Sequence, residues 1–478
     1  MINNMFFRSV KIISCKIIMV AFSMILMGVS SPITTLAATE SQLKTKIKNN
    51  VKAVGEYKNW DGVSNVSQFI GPDGEFWFAY DGKKEITVVS TAAGVVKDKI
   101  KLTKEHDTFG AVCSDISGNN FYVVTGEKNT GDDAAQKTVF VSKYDSQGNL
   151  ITTIGDDGSS SLASYYESSS NTKIPFNDSN CDVDVNGKYL AVNYGRTMYN
   201  GHQSNSVWVI DTETMTTVET PDFYSYDPNA SIYHRSHGIY SSHSFGQRTI
   251  KFGEGFLFAS EGDAYERAFT ISQWDLKENY ITSEDIFHFW IKEGSSEDMG
   301  VVNNNYAHMG DIAVLSNGTA AFAATSVKSL SSSADSEREH IFIQIFDPYK
   351  DQETAEGYIT NGERSGTSGL TGTTQVTDYG VKWLTDDDKY TYQHPQLVGV
   401  GDKFVLLYER CAKKTGKIKG VYYMVLDSSG NIVQDSKKFK KSASLNPCEP
   451  PICVDGCVYW VSNKASRKGK MFVYKLKI

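Results

Sequence analysis

Val141-Ser142-Lys143-Tyr144-Asp145-Ser146-Gln147-Gly148-Asn149-Leu150-Ile151 returns, imperfectly, as Met424-Val425-Leu426-Asp427-Ser428-Ser429-Gly430-Asn431-Ile432-Val433. Shorter versions stand at Val209-Ile210-Asp211-Thr212-Glu213-Thr214-Met215, Gln273-Trp274-Asp275-Leu276-Lys277 and Ile345-Phe346-Asp347-Pro348-Tyr349-Lys350. Each joins a β-rich run, a polar turn and a second β-rich run, the pattern of a hairpin. Hairpins recurring at roughly blade length predict an array, and an all-β array of this kind predicts a β-propeller.

With the hairpin as a ruler, seven four-stranded blades fit between residues 67 and 478, and six or eight also fit. The units open near Ser67, Gly110, Asn180, Ser242, Tyr306, Gln393 and Pro447. The last has room for only three strands, so a closing strand is expected from the N-terminal segment 39–66, somewhere in residues 45–66. Closure of this kind removes free sheet edges that would invite aggregation. The Ser-rich stretches 158–171 and 329–336 fall inside repeats and read as long loops rather than interdomain linkers.

Residues 1–38 stand apart. Arg8, Lys11 and Lys16 precede the apolar run Ile17–Met27, and Leu36-Ala37-Ala38 follows as a small-residue cleavage site. That order predicts a secretory signal peptide, cleaved to leave an extracellular protein with no membrane span. A net charge of −8 argues against nucleic acid as a partner. The basic run Lys437-Lys438-Phe439-Lys440-Lys441 reads first as a strand edge guarded by lysines. Six cysteines remain after cleavage. Cys113 and Cys181 occupy matching places in adjacent repeats, making them the candidate disulfide, with buried free thiols as the alternative.

On a propeller the first strand of each blade lines the central channel, and the loops from strand two to strand three share a face with the blade-joining loops. That scheme places Asp115, Asp182, His243, His308, His394 and Glu449 at the starts of the innermost strands. The strand two–three loops then carry Arg196, Tyr199, His202 and Gln203 in one cluster and Asp263, Tyr265 and Arg267 in another. Gln247 follows His243, and the blade-joining segment Tyr233-His234-Arg235-Ser236-His237 surfaces beside them. Six of nine histidines therefore converge on one region. Tyrosines beside planar polar groups suit a sugar. Histidine with carboxylate suits a divalent cation, although no cofactor is required. His, Tyr and Arg together also suit β-elimination on an acidic polysaccharide. Serine-hydrolase, zinc-protease and phosphate-loop motifs are missing.

The segments Phe109-Gly110-Ala111-Val112, Arg196–Gln203, Ser242–Gln247 and Gly262–Arg267 resemble those of a family of exported propeller-like proteins of Gram-positive bacteria. His394-Pro395-Gln396-Leu397, Tyr408-Glu409 and Pro447-Cys448-Glu449-Pro450 fit the same pattern. The resemblance implies an extracellular protein and brings no catalytic residues. Glu266 departs from it, standing where proline is expected. The expectation is a secreted, monomeric binding module for an extracellular glycan or a cell-surface protein, with a polysaccharide lyase or a ligand-free scaffold as alternatives.

Overall fold

The computed structural model describes residues 39–48 (backbone only), 65–82, 84–115, 119–131, 135–158, 171–177, 179–199, 201–220, 226–227, 232–233, 239, 241, 243–262, 268–288, 307–326, 339–346, 381–440, 442–463 and 470–478. These residues hold strands and turns and no helix, hence no helix long and apolar enough to cross a membrane. The strands form seven antiparallel blades in a ring, as the hairpin spacing predicts.

The innermost strands are Val66–Ile70, Thr108–Asp115, Cys181–Asn186, Ser244–Phe252, His308–Val314, Tyr390–Val400 and Ile452–Val454, for blades 1 to 7 in turn. Blade 3 carries an additional short strand, Thr172–Pro175, paired to its second strand. Blade 7 supplies three strands from the C-terminal end of the chain, and Thr39–Lys48 adds the fourth, antiparallel to Lys470–Lys477. The ring therefore closes through a strand that begins earlier in the chain than residue 45, where the hairpin count looked for it.

Local chemistry explains the repeat that reveals the fold. The Asp145 carboxylate accepts hydrogen bonds from the backbone N–H groups of Gln147 and Asn149 and from the Asn149 amide. Asp427 receives the same three bonds from Ser429 and Asn431. Gly148 and Gly430 both sit at positive φ, 87° and 76°, which a side chain would disfavour. The motif is thus an aspartate-organised turn between the two outer strands of a blade. Asp211 and Asp275 build related turns without the glycine.

Packing between blades carries the apolar content. One buried cluster fills each of the seven junctions, from Phe69, Trp77 and Phe121 between blades 1 and 2 round to Phe76, Tyr459 and Val473 between blades 7 and 1. Between blades 4 and 5 the rings of Phe269, Phe287, Phe322 and Phe342 interlock, with Phe287 and Phe342 stacked 4.5 Å apart. Truncating such a ring to alanine costs about 3–5 kcal/mol.

A chain begun at Asn49 would lose the closing strand and leave the Lys470–Lys477 edge unpaired. Its melting temperature should fall by several degrees and its light scattering should rise with concentration. An unchanged melt would show that the other strands of blade 7 hold the ring shut by themselves.

Candidate functional site

The turns between second and third strands define what we call the upper face. Each innermost strand runs downward from it, with one edge bonded to its own blade and the other facing the channel. The channel edge carries N–H groups that no strand receives, and burying such a donor unpaired costs about 1–3 kcal/mol. Side chains of the neighbouring blade meet them. Asn180, Asp182 and Asp184, alternate residues of blade 3, accept from the N–H groups of Gln247, Thr249 and Lys251, alternate residues of blade 4, at 2.8, 2.6 and 2.7 Å. Glu261 receives Met309, Asp311 receives Leu397, Glu409 receives Leu445, Glu449 receives Gln68, and Ser67 receives Val112.

The segment Asn446–Pro450 collects donors from both flanking blades and from across the ring. Gln68 of blade 1 donates to the carbonyls of Glu449 and Pro450, and Gln396 of blade 6 to those of Asn446 and Glu449. Arg248 of blade 4 reaches the Pro447 carbonyl across the channel. The Arg248 side chain is 1% exposed and its Nε stands 3.7 Å from Asp311. Burial drives the Asp182 and Asp311 carboxyls up to about 7, with Arg248 as the chief opposing influence.

On the lower side of that bridge lies a cavity of about 480 Å³ to which all seven blades contribute. Asp115, Asp182, Asp184, Asp311, Glu449 and Lys251 are its charged lining residues, and it extends to Gly187 in a lower turn. This corrects one placement: Asp115 is the last residue of its strand, at the opposite end from the loops. The carboxylates therefore belong to the channel and the histidines to the upper mouth.

At the mouth, His202 from the upper turn of blade 3 meets His243 at the start of blade 4, with ring centroids 4.7 Å apart and planes inclined by 37°. The His243 N–H donates to the Gln203 carbonyl at 2.7 Å, and His243 holds a left-handed φ of 47°. Both rings are half-buried. Burial, then the neighbouring His243 and Arg196, lower the His202 pKa from its usual 6.5. A second group lies between blades 5 and 6. His394, also left-handed at φ 51°, places Nδ1 3.2 Å from Glu409 Oε2. His308 is shifted down by burial, with Glu339 opposing and His394 reinforcing.

The other predicted residues divide. Tyr199 lies on the upper face, donating its hydroxyl to the Gly131 carbonyl beneath the Lys173 ammonium, 5.8 Å from the ring. Arg196 is fully buried instead, bonded to Ser204 Oγ, the Gly158 carbonyl and Thr172 Oγ1, so it braces blade 3. Gln247 is buried too, in the latch with Asn180, Ser179 and Ser244. Asp263, Tyr265, Arg267 and the His234–His237 segment lie outside the described residues. Cys113 and Cys181 share the core cluster between blades 2 and 3 as free thiols rather than a disulfide. Burial pushes both far up, which leaves little thiolate to react. Among the described residues, no three His, Cys, Asp or Glu side chains are grouped to hold a metal ion.

Sequence reasoning missed Arg248, Gln68 and Gln396, none of which stands in a distinctive local motif. The alternation Asn180-x-Asp182-x-Asp184 was the visible half of the latch.

No protein-family model matches the chain, and no curated protein matches it in sequence. Solved structures of similar shape include an oligogalacturonate lyase from Vibrio parahaemolyticus, at 12% identity and a TM-score of 0.45 over 91% of both chains. An α-L-arabinofuranosidase of Fusarium graminearum follows at 8% and 0.40, over 91% of this chain and 98% of that one. A chain of a mitotic checkpoint complex aligns at 9% and 0.44, over 97% and 99%. Likenesses this distant carry no argument about activity.

Replacing Arg248 with methionine should destabilise the ring by about 3–5 kcal/mol, since it strands buried carboxylates. Asp182 and Asp311 titrate near 7 in the fold and at about 4 unfolded, so their contribution to stability is present at low pH and lost as pH rises through 7. The deficit of the variant, read from melts across pH, should therefore be larger at pH 8 than at pH 5.5. A pH-independent deficit would mean that Arg248 acts only through the Pro447 carbonyl.

Proposed function

We propose that this chain is an exported propeller that binds an extracellular glycan at its upper mouth. One observation carries the reading: His202 and His243, from different blades, pack against each other with their rings tilted by 37°, and His243 is held in a left-handed backbone. A non-glycine residue at positive φ is costly, and such strain collects at binding sites. A lowered pKa keeps the His202 imidazole neutral at pH 7, so it offers one donor and one acceptor, the complement of a sugar hydroxyl. The Gln203 side chain, half-buried beside them, adds an amide of the same dual character. Tyr199 supplies an aromatic face nearby. The rigid ring beneath favours loops that recognise over loops that move.

The test is an array of neutral and acidic glycans probed with the protein from residue 39 onward. His202→Ala and His243→Gly should each weaken binding by about tenfold, a loss typical of a buried hydrogen bond, and leave the melting temperature within a few degrees. Affinity should be flat above pH 6.5 and fall below it as His202 gains a proton. Binding unaffected by either substitution would remove the mouth from consideration. A rise in ultraviolet absorbance from unsaturated products would replace binding by elimination.

A further inference from the structure

Blade 6 presents an arginine of a different kind. Tyr392, Arg410 and Gly420 are opposed across three strands, and Tyr408, Tyr422 and Lys438 across the adjoining row. Residues opposed in this way, and those two apart along a strand, share one face of a sheet. The Arg410 guanidinium carbon stands 4.1 Å from the Tyr422 ring centroid, 4.8 Å from Tyr390 and 5.9 Å from Tyr392. Its side-chain oxygen partners are neutral hydroxyls, Ser436 Oγ at 3.4 Å and Tyr408. Among the described residues it has no carboxylate partner, and the charges that act on it are tyrosine hydroxyls. Asp387, the acid nearest by connection, is engaged by the Tyr392 hydroxyl and the N–H groups of Lys389 and Tyr390.

A second cation is directed to the same ring. Lys438 Nζ stands 5.9 Å from the Tyr422 centroid, and its stem crosses Gly420, where a Cβ would come within 2.8 Å of Lys438 Cε. The glycine keeps that path open. Arg410, Tyr390 and Tyr422 are half-buried while Lys438 is exposed. The upper turn above them adds Lys413, Lys414 and Lys417. Two cations converge on one tyrosine without an acid between them, in a protein whose net charge is −8. An edge guarded by lysines alone would not need the arginine, the tyrosines or the glycine.

We propose that this face of blade 6 is a binding site for an acidic polysaccharide, with a carboxylate or sulfate group on Arg410 and Lys438 and a sugar ring against Tyr390 or Tyr422. A guanidinium fork pairs both oxygens of a carboxylate at once, and its stacking on the rings fixes its plane beforehand. A sugar's apolar face covers the tyrosine left beside it. The site is separate from the histidine mouth and stands whether or not the mouth binds.

Polygalacturonate is the probe, with sulfated dextran as the sulfate arm and neutral dextran and duplex DNA as controls, all measured by calorimetry at physiological salt. Arg410→Gln should weaken polygalacturonate binding about tenfold or more, as loss of a charge-assisted pair does. Arg410→Lys should recover only part of it, and Lys438→Gln, at an exposed position, should cost several-fold. Lys99→Gln, at an exposed position on the outer strand of blade 1, should leave this binding unchanged, which separates the site from surface charge in general. If Arg410→Gln lowers the melting temperature, the Arg410→Lys and Lys438→Gln arms decide. No binding of either acidic polymer, or binding indifferent to all three substitutions, overturns the proposal. Duplex DNA bound as tightly as the acidic polymers overturns it as well, since charge alone would then suffice.

Discussion

Each innermost strand of the ring has one edge with no strand beside it, and the donors along that edge must be received by something. Water would serve in an open tube, but this channel is crossed by the Arg248 side chain. The ring answers with acceptors from the neighbouring blade, at a period of two that matches the pleat. The requirement explains why carboxylates and amides appear where apolar residues would otherwise pack. It also explains why the blades hold a fixed phase, because a one-residue slip would carry every acceptor to the wrong side.

The same requirement shapes the channel. Acceptors that are aspartates bring charge inward, and their carboxyls respond by titrating near 7. Arg248 answers that charge and at the same time reaches Pro447 on the opposite side. A single guanidinium thus touches or balances blades 3, 4, 5 and 7. The segment it meets separates a mouth of histidines above from an acidic cavity below. Bulges in blades 2, 4, 5 and 6 lie near the starts of their innermost strands, close to where His243, His308 and His394 stand. A bulge re-aims the residues next to it, so the histidine positions follow from how the strands begin to descend.

What was legible in the sequence was what is local. The Asp145 turn makes its bonds within residues 145–149, so its imprint recurs wherever the turn recurs, and counting imprints counts blades. The latches join residues 67 apart, and the Arg248 bridge joins residues 199 apart, so neither leaves a motif. Asp115 was aligned with Asp182 by spacing, but the bulge at Gly110 and the longer strand of blade 2 carry it to the lower end. Arg196 was misread for a related reason. Its neighbours Thr197, Tyr199 and Gln203 mark a loop, yet the additional strand Thr172–Pro175 covers it, and no periodicity announces a fifth strand.

Three arginines with resolved surroundings show how partner chemistry, rather than residue type, assigns a role. Arg196 and Arg248 are buried, and backbone carbonyls take their N–H groups, so each stiffens the ring. Both are closed off from solvent, so neither is placed to meet a ligand. Arg410 is surrounded by ring faces, which attract its charge but accept no directed hydrogen bond in the guanidinium plane. Its oxygen partners are the neutral hydroxyls of Ser436 and Tyr408, and among the described residues no carboxylate balances its charge. An arginine that the fold orients without saturating is one whose remaining valence is addressed to something outside the chain.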